Sequence, residues 1–117
     1  MPYMLLIMEP KGQRAERTLA EGQAVYDRMV KFGHELQARG VLKASDSLNP
    51  DDRGVRVQVR DGQARTLDGP FSEAKEMVGG YFLLDGVTRA EAVAIAARCP
   101  AAEWATVEVR GIGPCYE

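Results

Sequence analysis

Tyr3-Met4-Leu5-Leu6-Ile7-Met8 is the stretch that decides the fold. An unbroken apolar run bounded by Pro2 on one side and Glu9-Pro10-Lys11-Gly12 on the other is too short for a stable helix. It predicts a strand with both faces buried. A counterpart lies near the far end, where Gly79-Gly80 hands over to Tyr81-Phe82-Leu83-Leu84-Asp85. Side chains alternate along a strand, so Tyr3, Leu5 and Ile7 point opposite to Met4, Leu6 and Met8, and Tyr81 and Leu83 point opposite to Phe82 and Leu84.

Two helices follow from spacing. Val25, Met29, Phe32 and Leu36 recur at four, three and four residues, one narrow stripe of an amphipathic helix from about Leu19 to Arg39. Thr18-Leu19-Ala20-Glu21 is a capping box at its start, and Gly40 supplies a left-handed cap at its end. Thr88-Arg89-Ala90-Glu91 is a second capping box. It opens a helix whose Ala92, Val93, Ala96 and Ala97 make a small-residue face, stopped by Pro100.

Between the helices Val41 to Leu48 can form a strand, ended by the turn-rich Asn49-Pro50-Asp51-Asp52-Arg53-Gly54. Val55, Val57 and Val59 alternate with Arg56, Gln58 and Arg60, and Asp61-Gly62 suits a type I′ turn into a return strand near Ala64 to Leu67. Ser72 can cap a short helix through about Glu76. Thr106 to Ile112 alternates Val107 and Val109 with Glu108 and Arg110, giving a last strand. The order is an α+β, ferredoxin-like split βαβ plan with an inserted β-hairpin and short helix, in one domain spanning residues 1–117.

Two helices shield one sheet face only. The second apolar face therefore needs a cover, and sheet-to-sheet homodimerisation is the simplest, because a two-fold axis buries the same patch on both chains.

Composition bounds the function classes. The 117 residues are 45% hydrophobic and 27% charged, with a net charge of −2, ordinary for one globular domain. Scattered Lys and Arg offer no basic field for a phosphate backbone, so a nucleic-acid partner is not expected. No run is long enough to span a bilayer, and the N-terminus lacks a signal-peptide pattern; a cytoplasmic protein with reduced Cys99 and Cys115 is expected.

Phe32-Gly33-His34-Glu35-Leu36, Gly40-Val41-Leu42, Gly54-Val55-Arg56-Val57, Asp68-Gly69-Pro70-Phe71-Ser72-Glu73-Ala74-Lys75-Glu76, Gly79-Gly80-Tyr81-Phe82, Ala97-Arg98-Cys99-Pro100 and Val107-Glu108-Val109-Arg110 together resemble the DGPF-motif branch of the YCII-related family. The match spans almost the whole chain. The resemblance implies a ferredoxin-like domain that pairs into a dimeric α/β barrel. Some YCII-related proteins carry a His-Asp pair proposed as a catalytic dyad, with the histidine near the start of the first helix. This chain has Tyr26 and Asp27 there, so the dyad mechanism does not carry over. Members of the DGPF branch look like genomic companions of sigma factors, which implies a regulatory or interaction module as the alternative to a small-molecule-binding protein or a cofactor-independent enzyme.

Candidate site residues cluster around the Asp68 turn. Asp68 is a general base if the turn opens onto a cleft, or an Asx-turn residue bonding amides near Pro70 and Phe71. Ser72 either caps the short helix or leaves amides free for a substrate anion. Lys75 neutralises an acidic ligand or is simply solvated. Phe71, Tyr81, Phe82, Met4 and Met8 line a pocket, between sheet and helix or between protomers, or form dry core. His34 lies about 180° around its helix from the apolar stripe and should face solvent. The lone histidine and the two separated cysteines have no metal-ligand spacing, and Cys99 has no basic neighbour in sequence to make it a nucleophile.

Overall fold

The computed structural model describes residues 2–116. β1 (Tyr3–Pro10) leads through a 3₁₀ turn at Arg14–Glu16 into α1 (Leu19–Ala38) and β2 (Leu42–Ser47). A 3₁₀ turn at Asp51–Arg53 precedes the hairpin of β3 (Val55–Arg60) and β4 (Gln63–Asp68). β5 (Glu76–Leu84), α2 (Arg89–Arg98), a 3₁₀ turn at Pro100–Glu103 and β6 (Thr106–Gly111) complete the chain. Four strands form an antiparallel sheet in the order β2-β5-β1-β6, while β3 and β4 pair with each other. This is the ferredoxin-like order, with the two apolar strands β1 and β5 at its centre.

Local chemistry starts and stops these elements as expected. Thr18 and Thr88 each accept the backbone N–H three residues on at 3.1 Å, and the Glu21 and Glu91 carboxylates accept the threonine N–H groups at 2.9 Å. Those bonds hold both carboxyls below the usual glutamate range. Gly40 (φ +75°) closes α1, and Asp61 and Gly62 (φ +52° and +74°) make the hairpin turn. Thr88→Ala is expected to cost about 1 kcal/mol, because the Glu91 N–H at the helix end loses the hydroxyl that accepts from it. A urea unfolding midpoint lowered with no change in slope would register that loss.

The sheet is two-faced. Leu5, Ile7, Phe82 and Leu84 pack against Phe32 and Leu36 of α1 and Ala92, Ile95 and Ala96 of α2, with the Phe32 and Phe82 rings edge to face at 5.3 Å. On the rear, cross-strand pairing puts Met4 beside Leu83, Leu6 beside Tyr81 and Met8 beside Val78. These rear side chains stay half-buried or exposed. The polar rim beside them comes from Asp46 on β2 and from Thr106, Glu108 and Arg110 on β6.

Three expectations need correction. Residues after Pro70 form a turn instead of a short helix, because the Phe71 backbone is tied to other elements and β5 already begins at Glu76. β5 thus carries Gly79-Gly80 inside it, where a register slip against Ile7 and Met8 makes a bulge. The buried face of α2 is Ala92, Ile95 and Ala96, while Val93 and Ala97 turn outward. The spacing of 92, 95, 96 and 99 fits a helix better than consecutive pairs do, and Cys99 continues that line into the core.

The chain forms a plate 47 × 42 × 18 Å. Its radius of gyration is 16.0 Å, against about 13 Å for a compact domain of 100 residues. The excess comes from one uncovered sheet face and from a hairpin whose Val55, Val57 and Val59 are 56–62% exposed. Among the described residues, no helix is long and apolar enough to cross a membrane.

Candidate functional site

A cleft of about 1110 Å³ opens between α1 and the β2–β5 half of the sheet. Helix geometry explains why it lies there. The stripe through Val25, Met29, Phe32 and Leu36 seats α1 on the sheet, while Leu19, Tyr26 and Val30 form a second ridge about 110° around the helix. That ridge overhangs the cleft and stays 79%, 55% and 37% exposed. Gly33 is buried over the Phe82 ring, where a Cβ would stand in ordinary contact at 3.5 Å. Trp104 closes one end of the cleft, with the Arg17 and Arg28 guanidinium groups 5.7 and 5.3 Å from its ring.

The floor carries an ion pair. Glu9 follows Leu5 and Ile7 on the helix-facing side of β1, so a carboxylate continues a core-facing row. It is 6% exposed. Arg14 Nε lies 2.5 Å from Glu9 Oε1, and the same guanidinium donates to the Leu48 carbonyl at 2.8 Å and the Gly79 carbonyl at 3.3 Å. The charges are balanced, and Arg14 Nε is the donor group at contact distance from Oε1, an atom closed off from solvent. Gly79 makes the room: a Cβ there would come within 2.6 Å of the Glu9 carboxylate carbon. The signal in the sequence is Glu9 two residues beyond Ile7, together with Gly79, residues that a strand boundary and a handover into the next strand explain equally well.

Of the residues singled out from sequence, Tyr81 and Phe82 border the cleft, and the others fall in two other places. Asp68 ends β4 opposite Val55 and is exposed on the hairpin, and Ser72 and Lys75 are exposed on the turn that follows. Phe71 is buried beneath the Arg56 guanidinium, 3.9 Å from its ring centre, and Arg56 pairs with Glu73. Met8 and Tyr81 lie on the rear face, where the Tyr81 hydroxyl donates to Asp46 Oδ2 at 2.8 Å and this bond keeps the phenol protonated above its usual range. Gly79, Gly80, Tyr81 and Asp46 all border the cleft, so the β2–β5 edge is shared by the two surfaces. His34 is exposed as its wheel position requires, and it lines the cleft mouth. Cys99 is buried with Sγ 4.0 Å from Met29 Sδ, and burial pushes its thiol up, away from nucleophilic use.

The Phe71 turn is held by charge. Lys11 Nζ lies 2.8 Å from Asp51 Oδ2 and donates to the Phe71 carbonyl at 2.5 Å, while the Phe71 N–H donates to Asp51 at 3.3 Å. The Lys11 bond first, then the Phe71 N–H, hold the Asp51 carboxyl below its ordinary value of 3.8. A folded-state value below the unfolded one means the tether is complete at about pH 5 and above, and is lost as pH falls through the lowered value. The Phe71 amide resonance is therefore expected to move in acid with an apparent midpoint below 3.8. Asp51→Asn should abolish that titration and leave the turn loosened at neutral pH.

The family model of the YCII-related domain matches residues 1–115, and the chain belongs to that family. No curated protein matches the chain.

Proposed function

We propose that this YCII-related chain works as a homodimer, joined through the rear faces of its sheets, and binds one small organic molecule per protomer in the cleft between α1 and β2–β5. We place it in the DGPF-motif branch on the Asp68-Gly69-Pro70-Phe71 turn. The observation that carries the reading is the cleft itself, whose volume of about 1110 Å³ exceeds what one small ligand needs and whose wall combines aromatic and polar side chains. The thin plate shape and the apolar centre of the rear face support the pairing, because an apolar core within a polar rim is the anatomy of a protein interface.

Asp68 has no part in this cleft, so any chemistry there would fall to groups such as Glu9 and His34. Amide chemical-shift mapping with a library of small fragments tests the reading. Perturbations should gather at Gly22, Tyr26, Gly33, Gly79 and Gly80, on both sides of the cleft. A library that shifts none of these amides would overturn ligand binding and favour an interaction module, with a sigma factor as the partner to try first.

A further inference from the structure

We infer that the β3–β4 hairpin is an arm that lies on the second copy of this chain and buries its valine face there, an inference that rests on the pairing proposed above. Register puts Val55, Val57 and Val59 opposite Asp68, Thr66 and Ala64, so one face of the ribbon is a row of valines flanked by small side chains. The other face carries Arg56, Gln58 and Arg60 beside Leu67, Arg65 and Gln63. Every residue of both strands is exposed. A two-stranded ribbon alone in water is marginal, and a row of β-branched side chains suits a covered sheet surface. Its own chain supplies no cover. The two strands pair only with each other, and the plate is 18 Å thick, room for one helix layer on one sheet, so the hairpin extends beside the main sheet and not across it.

A second copy is the cover that the size and charge of the surfaces fit. The main sheet has four strands of six to nine residues, and each presents every second side chain to the rear. That falls short of the about 20–30 residues a side of a standard interface. Two six-residue strands laid on the partner make up the shortfall from both directions, since a two-fold axis gives each protomer an arm and a surface that receives one. Charge agrees. From Arg53 to Arg65 the arm holds four arginines and one aspartate, in a chain whose net charge is −2, so the rest of the molecule is acidic. Arg60 and Arg65 have no carboxylate partner among the described residues. A cationic arm is drawn to the acidic body of a second copy, while its arginines project from the face opposite the valines and stay wet.

Sedimentation equilibrium of the full-length chain with Val57→Lys and Gln58→Lys tests this. Both substitutions add the same group at neighbouring positions of β3, on opposite faces. Val57→Lys should raise the dissociation constant of the pair by at least about 100-fold, because a two-fold axis applies each lost valine and each buried ammonium twice. Gln58→Lys should shift it by less than about threefold, as surface substitutions do. The hairpin lies outside the core cluster, so both variants keep the fold. A second reading needs no variant: in a mixture of isotope-labelled and unlabelled native chains, filtered NOEs should run from the Val57 methyls of one copy to the other. If Leu6→Asp dissociates the native pair while Val57→Lys does not, or if Val57 gives no filtered NOE in a native pair, the arm is overturned and the paired sheets stand. Equal weakening by the two lysine variants would overturn it as well, by making charge the cause. A native chain that sediments as a monomer would end the pairing reading and the arm with it.

Discussion

In the proposed homodimer, Leu6→Asp is expected to break the pair and leave a folded monomer. Leu6 sits at the centre of the rear face, with Tyr81 beside it on β5 and Glu108 on β6. A two-fold axis through that face places both copies of the substitution in the interface, so each protomer would bring an unpaired carboxylate into it. Each costs about 3–5 kcal/mol when desolvated without a partner, and each leucine lost removes a further contribution of about 1–2 kcal/mol from partial burial. Together these raise the dissociation constant by more than about 10⁴-fold. Sedimentation at micromolar concentration would show one protomer mass for the variant and twice that for the native chain. The monomer should keep its fold, because Leu6 faces away from the helices and the core of Leu5, Phe82 and Leu84 is untouched. A native chain that sediments as a monomer, or a variant that stays dimeric, would place the interface elsewhere, with the exposed valine row of β3 as the next surface to alter.

The same two-faced strand explains why so much of the architecture was legible. Period-two alternation, two capping boxes and Asp61-Gly62 are signals that act within a few residues, and the physics that sets them does not depend on distant partners. Strand order followed because only central strands need apolar residues on both sides. The cleft was less legible, since it depends on where α1 stops covering the sheet, which no local pattern specifies. Leu19, Tyr26 and Val30 do repeat at seven and four residues, but that ridge is partly solvated and looks like ordinary surface apolar scatter. The Asp68 turn is conspicuous in the sequence for its Gly-Pro-Phe chemistry. Lys11 and Asp51, distant in sequence from Phe71, hold that turn. Ser72 suits a helix cap because the residues after it suit a helix, yet the backbone partners of Phe71 and the early start of β5 leave no length for one.

Arg14→Ala should cost about 3 kcal/mol of stability, the largest single-chain loss expected at the cleft. Removing the guanidinium leaves Glu9, a side chain 8% exposed, with no opposite charge. It also frees the Leu48 and Gly79 carbonyls, which tie the connection after β1 to the end of β2 and to the β5 bulge. The value lies at the low end for a broken buried pair because the Arg14 side chain is itself 32% exposed, and water can reach the vacated space. Pairing the change with Glu9→Leu separates the two causes. Once the carboxylate is gone no charge is stranded, so the double variant should be more stable than Arg14→Ala alone, by about 1–2 kcal/mol, with the remaining deficit belonging to the two carbonyls. Urea unfolding of native, single and double variants at one fixed protein concentration measures this, since the proposed pairing would make apparent stability depend on concentration. A double variant no more stable than Arg14→Ala would mean that the carboxylate is not desolvated by the fold.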